Sequence, residues 1–446
     1  MKHLPYKSYK NSGIEWMGDI PESWVMKKLK FTANIFASNV DKKTVDGQSL
    51  VSLCNYTDVY YNEIIKSGMD FMAASATDEQ IEKFLLKKSD VIITKDSETP
   101  DDIGIAAYVP EDIPGVICGY HLSMIRPKRN NSGAFIKRVF DSHYVKSKFE
   151  TLANGVTRYG LGSYAIDNLS IPLPPYEEQK AIANFLDRET AKIDELIQKQ
   201  ETLIQTLVEK RQTLISDYIT KGINKSSPFK KSNVEWYGDI PAHWEVTKFK
   251  FLLNEPLQYG ANESGDAGQE EWPRYIRITD IDSDGNLKNE SIKTLSPELA
   301  SPYMLKHGDI LFARSGGTVG KSFIFDSAYG ESCFAGYLIK ASVDSRRIRP
   351  KYLKYITESH MYWEYILGTQ SQSTIQNVSA EKYARLPIPL PPIDEQHAIC
   401  NKLDAVCIKM NELVIKSRKS VALLQEHRAS LISAAVTGKI DVRELA

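Results

Sequence analysis

Ser315-Gly316-Gly317-Thr318-Val319-Gly320-Lys321-Ser322 is one residue away from the glycine-rich loop that cradles nucleotide phosphates, with Ser315 standing where the first glycine belongs. Such a loop must open a helix, because only there do successive backbone N–H groups surround the anion. Here Ser322-Phe323-Ile324-Phe325-Asp326 continues as a second β-like run after Ile310 to Ala313. The spacing predicts a glycine-rich turn between two strands and no nucleotide site. Pro174-Pro175-Tyr176 is the tail of the Asn/Asp-Pro-Pro-Tyr signature, in which a polar side chain accepts hydrogen bonds from the amino group of a flipped adenine and the aromatic stacks on the base. The preceding residue is Leu173, which accepts nothing, and no glycine-rich turn after a strand offers a place for S-adenosylmethionine. Five cysteines, an odd number without a C-x-x-C pair, argue against a disulfide framework and against zinc. Cys400 and Cys407 lie seven apart and read as packing on one helical face. Neither a nuclease set of carboxylates and lysine nor a Ser/His/Asp set stands out. The chain reads as non-catalytic, with no cofactor and no metal.

The elements that must position these residues come in two copies. Glu15-Trp16-Met17-Gly18-Asp19-Ile20-Pro21 followed by Trp24 returns as Glu235-Trp236-Tyr237-Gly238-Asp239-Ile240-Pro241 followed by Trp244, offset by 220 residues. Leu86 to Asp90 returns as Leu305 to Asp309 at offset 219, and Gly119-Tyr120 as Gly336-Tyr337 at 217. Ile171-Pro172-Leu173-Pro174-Pro175 matches Ile388-Pro389-Leu390-Pro391-Pro392, also at 217, and Arg211 matches Arg428. The second copy reads Leu390-Pro391-Pro392-Ile393, without the aromatic, so the paired prolines are a helix-start device. A period this long exceeds any solenoid repeat, so each copy is expected to be a domain with its own core.

Within each copy a mixed stretch punctuated by Gly, Pro and Asn carries short apolar runs such as Val91 to Thr94 and Ile310 to Ala313, expected to be strands of about four to six residues. After the paired prolines, Glu177 to Tyr218 and Asp394 to Ala435 contain no glycine and no proline. These are expected to be long helices, with Glu177, Glu178, Asp394 and Glu395 where the helix dipole favours negative charge. Apolar residues at Ile182, Leu186, Ile193, Leu196, Leu203, Leu207 and Leu214 form a near-heptad stripe on the first; Ile399, Leu403, Val406, Met410, Leu413, Leu424 and Leu431 form one on the second. Each stripe wants a partner helix, and the simplest partner is the other copy, paired antiparallel about a pseudo-twofold axis.

At 446 residues with 42% hydrophobic and 25% charged content, the chain has the composition of a globular protein with two or three cores. No run approaches the ~18 apolar residues of a membrane span, and Met1 to Lys10 has no apolar stretch, so a cytoplasmic location without membrane contact is expected. A net charge of -1 gives no global argument for nucleic acid. Two local basic clusters do: Arg126, Lys128, Arg129, Lys137 and Arg138, and Arg346, Arg347, Arg349, Lys351 and Lys354.

Taken in order, Trp-x-Gly-Asp-Ile-Pro-x-x-Trp opening each half, Leu-x-x-x-Asp-Ile/Val-x-x-x-Arg/Lys, and Ile-Pro-Leu-Pro-Pro-x-x-Glu-Gln leading into a long helix resemble the specificity subunit of Type I restriction-modification enzymes, over essentially the whole chain. The resemblance implies an α+β chain of two pseudo-twofold-related mixed α/β target recognition domains, 1–170 and 223–387, separated by two spacer helices, the first in 171–222 and the second, with a C-terminal tail, in 388–446, that form an antiparallel coiled coil. It implies as partners double-stranded DNA, two modification subunits that methylate adenine with S-adenosylmethionine, and ATP-dependent restriction subunits. The copies diverge most where readers of different bases would differ, Lys95 to Asp102 against Arg314 to Lys321 and Thr157 to Gly162 against Thr374 to Ser379. In that frame Arg314 is suited to guanine, and Gln370, Gln372 and Gln376 to adenine. Ser315 lies beside them, Lys95 holds the equivalent place in the first copy, and Arg158, Lys321, Arg126, Arg129 and Arg347 are candidate phosphate contacts. A coiled-coil scaffold holding two lobes without reading sequence is the alternative, marked by binding with no sequence preference.

Overall fold

A computed structural model describes residues 4–15, 17–267, 271–282, 286–288, 290, 292–369 and 377–444. The chain forms two compact units, Met1–Glu201 with Lys419–Ala446 and Thr202–Arg418, so each contains part of both long helices.

In the first unit, Val91–Thr94 is flanked by Leu122–Pro127 and Ala106–Tyr108 in a four-stranded antiparallel sheet closed by Ala33–Ala37. Val91, Ile92 and Ile93 are all fully buried because the strand divides two cores. Val91 and Ile93 face the core that reaches the long helices, whereas Ile92 faces a second core under the sheet Val116–Cys118, Ser49–Cys54 and Met72–Ala76. Alternation along a strand buried on both faces yields an unbroken apolar run. The second unit repeats the arrangement, with Ile310–Ala313 between Leu338–Ala341 and Ser322–Ile324 and with Gln258–Tyr259 at the far edge. Ile310 and Phe312 face the helix-side core, and Leu311 faces the other.

The repeated motifs build the junction between each lobe and its helix. Val25–Lys28 pairs antiparallel with Ser170–Leu173, and Glu245–Lys248 with Pro387–Leu390. Trp24 is fully buried and donates its indole N–H to Glu178 at 3.0 Å; Trp244, equally buried, donates to Glu395 at 3.0 Å. The adjacent glutamines turn the other way. Gln179 accepts from the Ser132 amide at 2.8 Å and donates to the Pro174 carbonyl at 2.9 Å, while Gln396 does the same with Arg349 at 2.9 Å and Pro391 at 3.0 Å. The bonds from the Ser132 and Arg349 amides seat the start of a preceding lobe helix, Gly133–Phe140 or Pro350–Glu358, against the long one.

The long helices span Tyr176–Lys221 and Ile393–Val436, roughly 65–70 Å each at 1.5 Å per residue. Within each unit they run antiparallel. In the first, Gly438, just past the second helix, lies against Trp24, the partner of Glu178 at the start of the first helix; farther along, Arg428 pairs with Asp194 at 2.8 Å. In the second, Gly222, just past the first helix, packs on Trp244 and Glu395, and Leu207 and Val208 share a cavity wall with Met410 and Val414. Both glycines have φ near +70°, so each helix ends in the left-handed conformation that needs no side chain. Each lobe also leans on the helix that does not follow it directly. The His143 amide donates to Ser433 Oγ at 3.1 Å, and the His360 amide to Ser216 Oγ at 3.0 Å.

The buried stripes differ in phase from the sequence expectation. Leu186, Ile193, Leu403 and Met410 are buried, and Leu207 and Leu424 are half-buried, as a seam requires. Leu196, Leu203 and Leu413 are instead 48%, 43% and 48% exposed. The seam steps from Ile193 to Ile197 and Ile204, and from Leu403 to Cys407, Met410, Val414 and Ser417, alternating steps of four and three. Counting through Leu196 rather than Ile197, or Val406 rather than Cys407, rotates the stripe by one residue, about 100°. The five cysteines are unpaired and buried.

The two kinds of helix position are separable by experiment. Leu403→Asp places a charge in the buried seam and should destabilise the chain by several kcal/mol in urea unfolding. Leu413→Asp, on the exposed face, should stay within about 0.5 kcal/mol of the parent. Equal destabilisation would contradict this assignment of the seam.

Candidate nucleic-acid interface

In each unit the divergent segments meet at the end of the central strand. After Val91–Thr94, Asp96–Ser97 pairs with Tyr159–Gly160, which folds back on Asn154–Gly155, and the Leu161 amide donates to the Lys95 carbonyl at 2.8 Å. Arg158 stands exposed at the tip of that hairpin beside Val156, which is 90% exposed. After Ile310–Ala313, Ser315 bridges Asn377 and the Val378 amide donates to the Arg314 carbonyl at 2.9 Å. Gln370, Gln372 and Gln376 lie outside the described residues.

A cation is pinned at this point in both units, by different means. The Lys95 ammonium lies 4.7 Å from the Tyr120 ring centroid and donates to the Ser38 carbonyl at 3.1 Å. Arg314 lies 4.7 Å over Tyr259, a residue of the edge strand beyond Leu338–Ala341, and its Nη1 reaches the Gly336 carbonyl at 3.4 Å. The sequence match of Gly119-Tyr120 to Gly336-Tyr337 hides this difference. The ladders pair Thr94 with Leu122 and Ala313 with Leu338, so Tyr337 takes the place of His121 and Gly336 that of Tyr120. With no ring available there, the second unit supplies its aromatic platform from Tyr259.

Around Lys95, the first unit adds side chains that sequence reasoning missed. His121 Nδ1 is 2.8 Å from Asp96 Oδ2, and Tyr56 and Tyr60 stack with centroids 5.5 Å apart, one helical turn from each other. Tyr60 donates to Asp102 at 2.6 Å, and that bond pushes its phenol up to about 12. The i, i+4 spacing of Tyr56 and Tyr60 was the available signal. In the second unit the segment from Ser315 to Lys321 is a tight turn between antiparallel strands, with Gly316 and Gly320 at positive φ. Any side chain at Gly320 would strike Trp363 and Ile366. Ser315 is half-buried and Lys321 exposed.

Most side chains of the two basic clusters, read from the sequence as candidate phosphate contacts, are engaged within the fold. Arg126 donates through Nε and Nη2 to the fully buried Asp90, at 2.8 and 2.7 Å, and to the Leu85 carbonyl. Lys137 and Arg138 are buried among Glu63, Asp141 and Asp187. Arg347 donates to the Phe251 carbonyl, Arg346 pairs with Asp344, and Lys351 pairs with Asp404. A run free of acids in sequence meets acids in space, because adjacent elements supply them. Arg129 remains exposed.

Comparison with known proteins gives this architecture a family. The model of the Type I restriction modification DNA specificity domain matches residues 21–206 and again 219–421. The chain belongs to that family. The MjaVIII specificity subunit of a type I restriction enzyme from Methanocaldococcus jannaschii is 23% identical over 441 residues, covering 96% of this chain and 95% of its own length. The EcoKI specificity subunit of Escherichia coli K12 is 22% identical over 451 residues, with 96% and 91% covered. A solved chain, described in work on complex assembly and conformational transition of the type I R-M system, shares the fold at a TM-score of 0.72 with 16% identity, covering 94% of this chain and 99% of its own. Among the described residues no helix is long and apolar enough to cross a membrane, and no group of three His, Cys, Asp or Glu side chains is placed to hold a metal ion.

Arginines that hold a specificity fold together are distinguishable from those that meet phosphate. Arg126→Gln leaves the buried Asp90 without its partner and should cost about 3 kcal/mol or more of stability. Arg129→Gln should change stability by less than about 0.5 kcal/mol. Urea unfolding of the two variants checks the ranking.

Proposed function

We propose that each unit reads one half of a bipartite, asymmetric target on double-stranded DNA, and that the chain serves an adenine-methylating and DNA-cleaving assembly without doing chemistry itself. The observation that carries the reading is the convergence, in both units, of the segments that differ most between the copies onto one point of a shared scaffold, where a cation is held against an aromatic ring. A recognition surface needs that combination of constant frame and variable tip. Arg314 is the side chain best suited to guanine O6 and N7, and Lys95, Arg158, Lys321 and Arg129 supply base or phosphate contacts. Ser315 positions the loop through its bridge to Asn377. Of the remaining predicted contacts, Arg126 and Arg347 serve the fold.

The exposed apolar positions of the long helices support docking of two modification subunits, one for each copy of the repeat. Leu196 and Leu413 are equivalent in the repeat and equally exposed, and Leu203, Val208, Ile408, Ile415 and Leu423 are exposed as well. Restriction subunits complete the assembly, which works on DNA in the cytoplasm.

Arg314→Ala should relax specificity in one half of the methylated motif only, with about 1–3 kcal/mol of discrimination lost at the affected base pair. Lys95→Ala should act on the other half or weaken binding to all sequences alike. The methylated motif of each variant, read by single-molecule sequencing of cells carrying the modification subunits, decides the matter. Changes in both halves from Arg314→Ala would refute the division of labour.

A further inference from the structure

A feature outside the reading loops also returns in the second unit, and it is turned outward in both. Lys28-Leu29-Lys30-Phe31 recurs as Lys248-Phe249-Lys250-Phe251 at the offset of 220. Leu29 and Phe249 are fully buried in the helix-side cores. The lysines are exposed, and the Phe31 and Phe251 rings are 65% and 56% exposed. Packing inside the lobe explains the recurrence of Leu29 and Phe249; it does not explain that of two rings left mostly in water.

Each ring has the same basic surround. The Lys30 ammonium lies 5.5 Å from the Phe31 centroid, and that of Lys250 lies 4.9 Å from the Phe251 centroid. Lys28 and Lys30 converge on Asn168 Oδ1 at 3.2 and 3.1 Å, and Lys128 donates to the Lys30 carbonyl at 2.7 Å. Arg347 donates in the same way to the Phe251 carbonyl. Arg126, Lys137 and Arg138 are neutralised by acids of the fold. Around Lys28, Lys30, Lys128, Lys248 and Lys250, by contrast, no carboxylate of the described residues lies within ion-pair distance, Asp167 beside Asn168 included. Asp344, whose amide donates to the Leu252 carbonyl, is held by Arg346 at 2.9 Å. The patch also stands apart from the recognition point. Phe31 precedes the edge strand Ala33–Ala37, and Lys95 reaches the Ser38 carbonyl past its other end, about 16 Å on at 3.3 Å per residue. In the second unit Leu253 bridges Val343 at one end of the edge pairing, and Tyr259, under Arg314, pairs with Ile339 at the other.

We propose that Phe31 and Phe251 are twin anchors for one protein partner that binds twice, each ring entering an apolar pocket whose rim carries carboxylates for the lysines around it. A feature identical in two units that read different bases serves something common to both half-sites. A phosphate backbone is common to both, but it would leave the rings unburied, whereas an aromatic centre with a charged rim is the composition of a protein interface. The uncompensated lysines require that rim to be acidic. Taking the occupant to be a modification subunit, one on each lobe, rests on the function proposed above and carries its docking from the long helices onto the lobes.

The test titrates the full chain with its modification subunit and counts bound copies by native mass spectrometry. Phe31→Ala should weaken one of the two copies by about tenfold or more and leave the other at parental affinity; Phe251→Ala should do the same to the second copy, and the double variant should weaken both. Phe31→Trp should retain binding, and Lys30→Glu should weaken the copy that Phe31→Ala weakens. The rings are exposed, so the melting temperature of the free chain should not move. Parental affinity for both copies in the double variant, or a loss of affinity that follows a fall in melting temperature, would overturn the proposal. So would weaker binding of duplex DNA of any sequence with both modification subunits still held, which would make the patch a phosphate contact. If the parent chain itself binds no modification subunit, the reading of the chain as a specificity subunit fails. If the parent binds two and the alanine variants bind two equally well, only the anchors fail.

Discussion

A carboxylate that accepts the N–H of a buried tryptophan in the first turn of each long helix is the constraint on which the rest depends. Glu178 accepts from Trp24 Nε1 at 3.0 Å and from the Tyr6 hydroxyl at 2.7 Å while only 7% exposed. Glu395 accepts from Trp244 Nε1 at 3.0 Å and lies 2.8 Å from His243 Nε2. An ionised group out of water must be fully hydrogen-bonded, and the helix N-terminus adds its own favourable field. Each lobe is thereby tied to its helix at a fixed point. Burial of the Tyr6 phenol, together with its bond to Glu178, raises it well above the usual tyrosine range, so that bond persists as a donor–acceptor pair at neutral pH. With the junction held by these contacts, loops at the far end of the central strand are free to differ between the copies.

The electrostatics of the two units show how much variation the junction allows. The first latches its lobe with Glu63, Asp141 and Asp187 around Lys137 and Arg138; the second replaces Arg138 with Tyr355, whose hydroxyl donates to Asp404 at 2.6 Å. The backbone frame is nearly indifferent to that exchange, because Gln179 and Gln396 make the same pair of bonds in both. Polar contacts that recur at equivalent positions are therefore the ones holding the architecture. Those that do not recur, Lys95 on Tyr120 against Arg314 on Tyr259, mark where the units have separate tasks.

Much of this was legible in the chain itself, and the failures have identifiable causes. The Trp, Glu-Gln and Pro-Pro motifs were visible as repeats, and the glycines after Arg314 declared a turn, because each demands one particular backbone or packing environment. Helix phase was not legible at Leu196 and Leu413. Both neighbours in a stripe of Leu, Ile and Val are apolar, and hydrophobicity alone cannot choose a step of three over a step of four. Charge clusters misled for a different reason. Arg126 has no acidic residue in its own strand, Leu122–Pro127, yet Asp90 faces it across the sheet, and such pairing depends on register. Register also defeated the match of Tyr120 to Tyr337, where a one-residue shift in the second copy put a glycine under Arg314.

The central claim is that the two units read independently on a common frame. It is tested most directly by a chain in which residues 223–387 are replaced by a second copy of residues 1–170, expressed with its modification subunits, with the methylated motif read by single-molecule sequencing. Two identical readers should produce a symmetric motif whose halves both match the half read by the first unit of the parent. Retention of the parent's asymmetric motif, or a motif unrelated to either parental half, would contradict the account.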